Sequence, residues 1–317
     1  MQITPKVVLR AYLKEIEPKF RLPRAFAGHL ILCDPRKARI YGLKKEHIPK
    51  GCRFALDVYA VEERNALEYA LSATNAIRIA SSCSVWVAEH YIPSRYSIRG
   101  DEKVHYLWGH GGPALQEEEM KFVENHMDMF REYLMPETYT RVGNALRLHS
   151  SAMFTDSPDL ALLGFMGAIE SLFSISPQEL TFRLSLLLAK FLGNDKKQQR
   201  ELFDRARGLY SVRSKLAHGD KLEKNEEAAA ISLVDYWTPS AEKLARECLK
   251  RLFGQKLTKS FDSPKTHEAL LTDLLFASNL DEISTTGASP APQPKSSCQA
   301  NSTMKQCSAG CNPSHKR

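Results

Sequence analysis

Apolar positions along the chain follow two periods, and the change falls near residue 113. Before it, GHLILCD (Gly28 to Asp34), KARIYGL (Lys37 to Leu43) and CRFALDVYA (Cys52 to Ala60) carry the short apolar runs of strands. EERNALEYALSATNAIRIA, Glu62 to Ala80, instead places apolar residues at helical spacing. Residues 1–113 therefore read as a small α+β domain, with Trp86 and Trp108 expected in its core or at its seam with the next domain. Nothing in it converges on a recognisable chemical site.

From Leu115 onward the pattern is almost wholly helical, giving a helical domain over 114–283 whose start signals are legible. Ser157 is the expected N-cap of a helix with Pro158 at its first position, and Ser176, Pro177 and Glu179 spell a capping box. Gly193, Asn194 and Asp195 end one helix and open the next, which stops at Gly219. A further helix runs from about Asn225 to Phe253, and Pro239, lacking a backbone donor, should kink or split it after Trp237. Ser263 and Pro264 open a last amphipathic helix that ends near Ser278. Short connections favour antiparallel neighbours. The predicted fold is mainly α: an antiparallel helical bundle, preceded by the smaller α+β domain and followed by a disordered tail.

Composition changes this picture mainly at the ends. With 43% hydrophobic and 26% charged residues the chain is ordinary for a globular protein. No apolar run approaches the roughly 18 residues that span a bilayer. The opening MQITPKVVLRAYLKEIEPKF mixes charge into every turn, so neither a signal peptide nor a membrane anchor is expected, and the setting is cytoplasmic. Residues 284–317 are rich in Ser, Pro, Ala and Gln without periodicity, a composition that predicts disorder. The net charge of +7 suggests a nucleic-acid partner until it is localised. Lys295, Lys305, Lys316 and Arg317 follow the last acidic residue, Glu282, so the remainder carries only +3.

Two chemistries are set aside by missing parts. The seven cysteines, Cys33, Cys52, Cys83, Cys248, Cys298, Cys307 and Cys311, include no CxxC pair, which argues against a disulfide framework and a zinc finger. Cys307, Cys311 and His315 would need a folded tail to hold a metal, so neither metal nor cofactor is expected. GHGGP, Gly109 to Pro113, lacks the GxSxG elbow of an esterase and the strand, glycine and helix order of a phosphate loop, and reads as a flexible junction.

The remaining candidate is LYSVRSKLAHGD, Leu209 to Asp220. On a helix Leu202, Ala206, Leu209, Val212 and Leu216 make one stripe, with Arg213 at its edge. A partly buried guanidinium needs an anion. Glu170, the only charged residue between Asp159 and Glu179, needs a cation in turn, and either Arg213 or Arg183 can supply it. Tyr210, Ser214 and His218 form a polar row away from the core, and a C-terminal histidine is also favoured there by the helix dipole.

Arg213, four intervening residues and His218 resemble the Arg-x4-His motif of the HEPN superfamily. The surrounding letters resemble its Apea-like branch, LYxxRSxxxHG, matched by Leu209, Tyr210, Arg213, Ser214, His218 and Gly219. The resemblance takes in the AIESLF helix around Glu170 and the FRLSLLLA helix with Arg183, and covers residues 157–253. It implies an all-α bundle, RNA as partner and metal-independent endoribonuclease activity in a toxin or defence setting. Arg213 would hold the phosphate and His218 would move protons, with Ser214 beside them and Glu170, Tyr210 and Arg183 supporting. Ser214 stands where ribonuclease members commonly carry Asn, Asp or His. Arg213 and His218 lie about 140° apart around one helix, and the family's answer is a homodimer with two motif helices facing one cleft. The alternative from the residues alone is a non-catalytic helical interaction module with a structural Glu170–Arg213 pair.

Overall fold

The computed structural model describes residues 7–14, 16–27, 30–37, 48, 52–60, 62–81, 85–92, 95–99, 114–134, 140–174, 180–222 and 231–282. Outside them lie GHGGP, Trp108, most of KARIYGL, the Ser176 capping box, residues 225–230 and the tail with its cysteines and His315.

The first half is a sheet with one covering helix. Strands β1 (Val7–Lys14), β3 (Arg24–Phe26), β4 (Leu30–Cys33), β5 (Phe54–Tyr59), β6 (Trp86–Ile92) and β7 (Arg95–Arg99) form a six-stranded antiparallel sheet in the order β3-β4-β5-β1-β6-β7. Strand β1, which the apolar pattern did not announce, is central. Leu9, Ala11 and Leu13 share one core with Leu30, Leu32, Leu56 and Val58. On the opposite face Tyr12, Cys33, Cys52 and Ala55 form a second small cluster. Arg10 lies on this second face too, so polar letters on a strand covered on both sides disguised it. Helix α1 (Glu63–Ala80) lies close to the first face because Ala66, Ala70, Ala73 and Ala76 are fully buried.

The parallel pair β2 (Glu17–Pro18) and β8 (Ala114–Leu115) ties the sheet half to the start of the helices. Then come α2 (Glu117–Leu134), α3 (Arg141–Met153), α4 (Pro158–Phe173), α5 (Leu180–Leu192), α6 (Lys196–His218), α7 (Thr238–Gly254) and α8 (Pro264–Phe276). Helix predominates in the molecule. α1 packs on α2 and α7, and one continuous apolar core joins sheet and helices. Lys250 of α7 reinforces that seam by donating to the Ala80 carbonyl at the end of α1, 2.7 Å away.

Local signals succeed and fail for definite reasons. Asp195 caps α6 by accepting from Gln198 N at 2.8 Å, and Ser263 caps α8 by accepting from Thr266 N. Ser157 stands at the N-cap of α4 with Pro158 at its first position, but its hydroxyl donates to Asp159 and accepts no backbone N–H. Pro239 neither splits nor ends its helix. The chain widens into a π turn over Leu233–Trp237, closed by Thr238 N to Leu233 O, and α7 continues from it. That widening absorbs the ring which would otherwise strike the carbonyl four residues back.

Candidate functional site

The site is built where α4, α5 and α6 pack on one another. Ala206, Leu209 and Val212 bury the predicted stripe of α6, and Ala161, Phe165, Ala168 and Ile169 bury one side of α4. Arg213 at the edge of its stripe thereby meets Glu170. The closest approach is Nε to Oε1 at 3.0 Å, and Nη2 donates to Oε2 at 3.2 Å. Only the second is an aligned hydrogen bond, since Nε and Oε1 both lack one despite their proximity. The 3.0 Å contact is thus electrostatic attraction without the directional part. The side chains keep 30% and 18% of their exposure.

Burial pushes the Glu170 carboxyl above its ordinary value, against the opposing pull of Arg213. Tyr210 is raised as well, by burial and then by the Glu170 charge. Its ring lies 5.7 Å from the Arg213 guanidinium and packs partly into the core. Tyr210 therefore belongs to the pair rather than to a polar row facing solvent, because it falls only about 60° from Arg213 around the helix. Arg183 stays on α5 without an ion pair to Glu170, so the structure selects Arg213 from the two possible partners.

His218 is the last residue of α6 and is exposed; Ser214 is half-buried. The helix stops there because Gly219 adopts φ 74°, a left-handed conformation that costs other residues about 1–2 kcal/mol. Gly219 N then reaches Leu216 O and Asp220 N reaches Lys215 O, which satisfies the terminal carbonyls. The chain thus presents a half-exposed arginine and an exposed histidine on different sides of one helix.

A charge feature of α6 went unread in the sequence. Its 23 residues hold seven Lys or Arg against Glu201 and Asp204, a surplus of five. Averaging charge over the whole folded part hid it; counting by element reveals it. A second ionisable cluster, also unforeseen, is sealed inside: Glu242 takes Arg246 Nε at 3.0 Å with His149 Nε2 at 3.6 Å, all three buried.

Cys33, Cys52 and Cys248 are buried, and burial raises the Cys33 thiol to about 12. Among the described residues no cluster of His, Cys, Asp and Glu suits a metal, and no helix is long and apolar enough to cross a membrane. Compared with protein-family models, curated proteins and solved structures, the chain gives no match.

Proposed function

We propose that the chain is a HEPN-like RNA-binding protein that, as a homodimer, cleaves RNA without a metal. The observation that carries this is the +5 helix ending on His218, with a half-exposed Arg213 one and a half turns earlier. Phosphate is the anion such a helix attracts, and the arginine fork matches its oxygens. In the reaction the ribose 2′-oxygen bonds to the adjacent phosphorus as the bond to the 5′-oxygen breaks. The imidazole of His218 can both accept and donate a proton and would move it between these oxygens, while Arg213 holds the charged phosphate. Ser214 offers one further hydrogen bond. Because Arg213 and His218 diverge around α6, the second copy of α6 supplies the missing half of each site.

A second reading has its own observation. Glu170 already holds Arg213 through two nitrogens, as expected of a structural pair in a non-catalytic interaction module.

The test is incubation of the folded protein with total RNA in EDTA. Cleavage that disappears in His218→Ala, with an unchanged melting temperature, supports the nuclease. Cleavage that His218→Ala retains in full removes the catalytic role, and a wild type inactive on every RNA leaves the interaction module as the account.

A further inference from the structure

Lys196, Arg200, Arg207, Ser214 and His218 fall within about 20° of one line along α6, since 4-, 7- and 11-residue separations return to nearly the same side of a helix. The line is about 33 Å long. Its three cations and its histidine are all exposed, while Ser214 is half-buried. Asp204 lies beside it and approaches Arg200 at 3.4 Å, an exposed pair that does little to neutralise the row.

Aromatic rings stand on either side at the level of Arg207. About 40° to one side, Phe203 meets Phe182 of α5 edge to face at 5.6 Å, and Phe182 is 56% exposed. About 100° round the other side, Gly208 leaves bare backbone against which Trp237 lies; a Cβ there would come within 3.3 Å of its ring. Trp237 in turn holds Tyr236 edge to face at 4.8 Å, with Tyr236 52% exposed. Large aromatic rings are thus braced by a second ring while still offering surface to solvent.

We infer that this ridge of α6, with Phe182 and Tyr236 as its flanks, is a track for single-stranded RNA leading to His218. The inference rests on the RNA reading above and adds the form of the nucleic acid and its path. Cations along a line follow phosphates, and exposed rings stack bases that are not already stacked on each other. A duplex hides its base faces, so the rings would gain nothing from it. A second copy of the chain fits the Lys196–Arg207 part of this ridge poorly, because it would set like charges against like, and it would meet α6 at the His218 end instead.

The test uses a fluorescein-labelled 2′-O-methyl RNA strand of about 12 nucleotides, within the site sizes of single-strand binders. The blocked 2′-oxygen keeps it intact during anisotropy titrations. The strand should bind about tenfold more tightly than its annealed duplex, and Phe182→Ala and Tyr236→Ala should each weaken strand binding about tenfold. The combined Lys196→Ala, Arg200→Ala and Arg207→Ala variant should weaken it at least as much and lower the salt dependence by about two log–log units. Arg64→Ala and Leu71→Ala, exposed on α1, should change nothing, and all variants should melt like the wild type.

Equal affinity for duplex and strand, undiminished binding by both aromatic variants, or no binding by the folded wild type overturns the track. The nuclease reading is scored separately by cleavage of unmodified RNA in EDTA. Cleavage with ridge-independent binding sinks the track alone; ridge-dependent binding without cleavage upholds the track and sinks the nuclease.

Discussion

Two arginine–carboxylate pairs, one in the sheet and one among the helices, are built to opposite specifications. Arg10 and Asp57 face each other in register on β1 and β5, 2% and 3% exposed, with Nε to Oδ1 at 2.5 Å and Nη2 to Oδ2 at 2.6 Å. Fork meets fork, and no solvent reaches either group. Arg213 and Glu170 share one aligned bond and one misaligned contact, and both touch solvent. Tight two-bond geometry is what a fully desolvated pair needs, because several kcal/mol of lost hydration must be offset for each ion. The helical pair has lost less hydration and is less well made, which leaves its guanidinium within reach of an outside anion. The sheet pair locks two strands together, whereas the helical pair leaves its arginine partly open to solvent.

Asp57→Ala should have the largest effect. It leaves Arg10 charged and uncompensated inside the sheet and should cost about 3–5 kcal/mol, measured by urea denaturation. A loss under about 1 kcal/mol would mean the pair is no lock.

Arg213→Ala should cost about 1–2 kcal/mol, between the values for exposed and for buried pairs. A loss equal to that of Asp57→Ala would erase the contrast between the two sites. The full cost of a stranded buried charge is not expected, since Glu170 keeps contact with water.

Glu170→Gln sharpens the contrast through pH. Burial raises the Glu170 carboxyl above its unfolded value of 4.5. Its contribution to stability is therefore fully present below that pH and is lost as pH rises through the folded value. The stability of Glu170→Gln relative to wild type should shift in the variant's favour between pH 4.5 and neutrality. Denaturation series at several pH values would show it, and a shift in the opposite direction would mean that attraction to Arg213 outweighs burial.

The smallest effect belongs to His218→Ala, at most about 1 kcal/mol, because an exposed helix terminus offers only the dipole and a carbonyl. A much larger loss would place His218 in the architecture rather than at a free surface.

The same contrast explains what could be read from the letters. Glu170 stood alone in an apolar helix, so a partner was required, and only two arginines were on hand. The Arg10–Asp57 pair gave no such warning. Its members are 47 positions apart, and only the strand register brings them together. In β1, charged letters interrupt the apolar pattern, although Arg10 on its second face is buried. The buried His149, Glu242 and Arg246 were hidden likewise, each lying at a plausible surface position until α3 and α7 meet. The stripe of α6 and its glycine stop were visible because they depend on neighbours within a few residues. The basic ridge was visible as well, but only when charge is counted helix by helix.

The π turn ahead of Pro239 has a consequence for length variation. Five residues, Leu233–Trp237, make a turn that carries more chain than an ordinary helical turn of the same rise. A deletion of one residue there can be taken up by tightening to α winding, leaving α7 and its buried face in place. The chain on either side of the deletion would then keep its direction, because the π turn already holds one residue more than α winding needs. Tyr236, at the end of the turn, is the residue whose direction such an edit would change first, which makes this short segment the point where a single codon lost could re-aim a surface without disturbing the core.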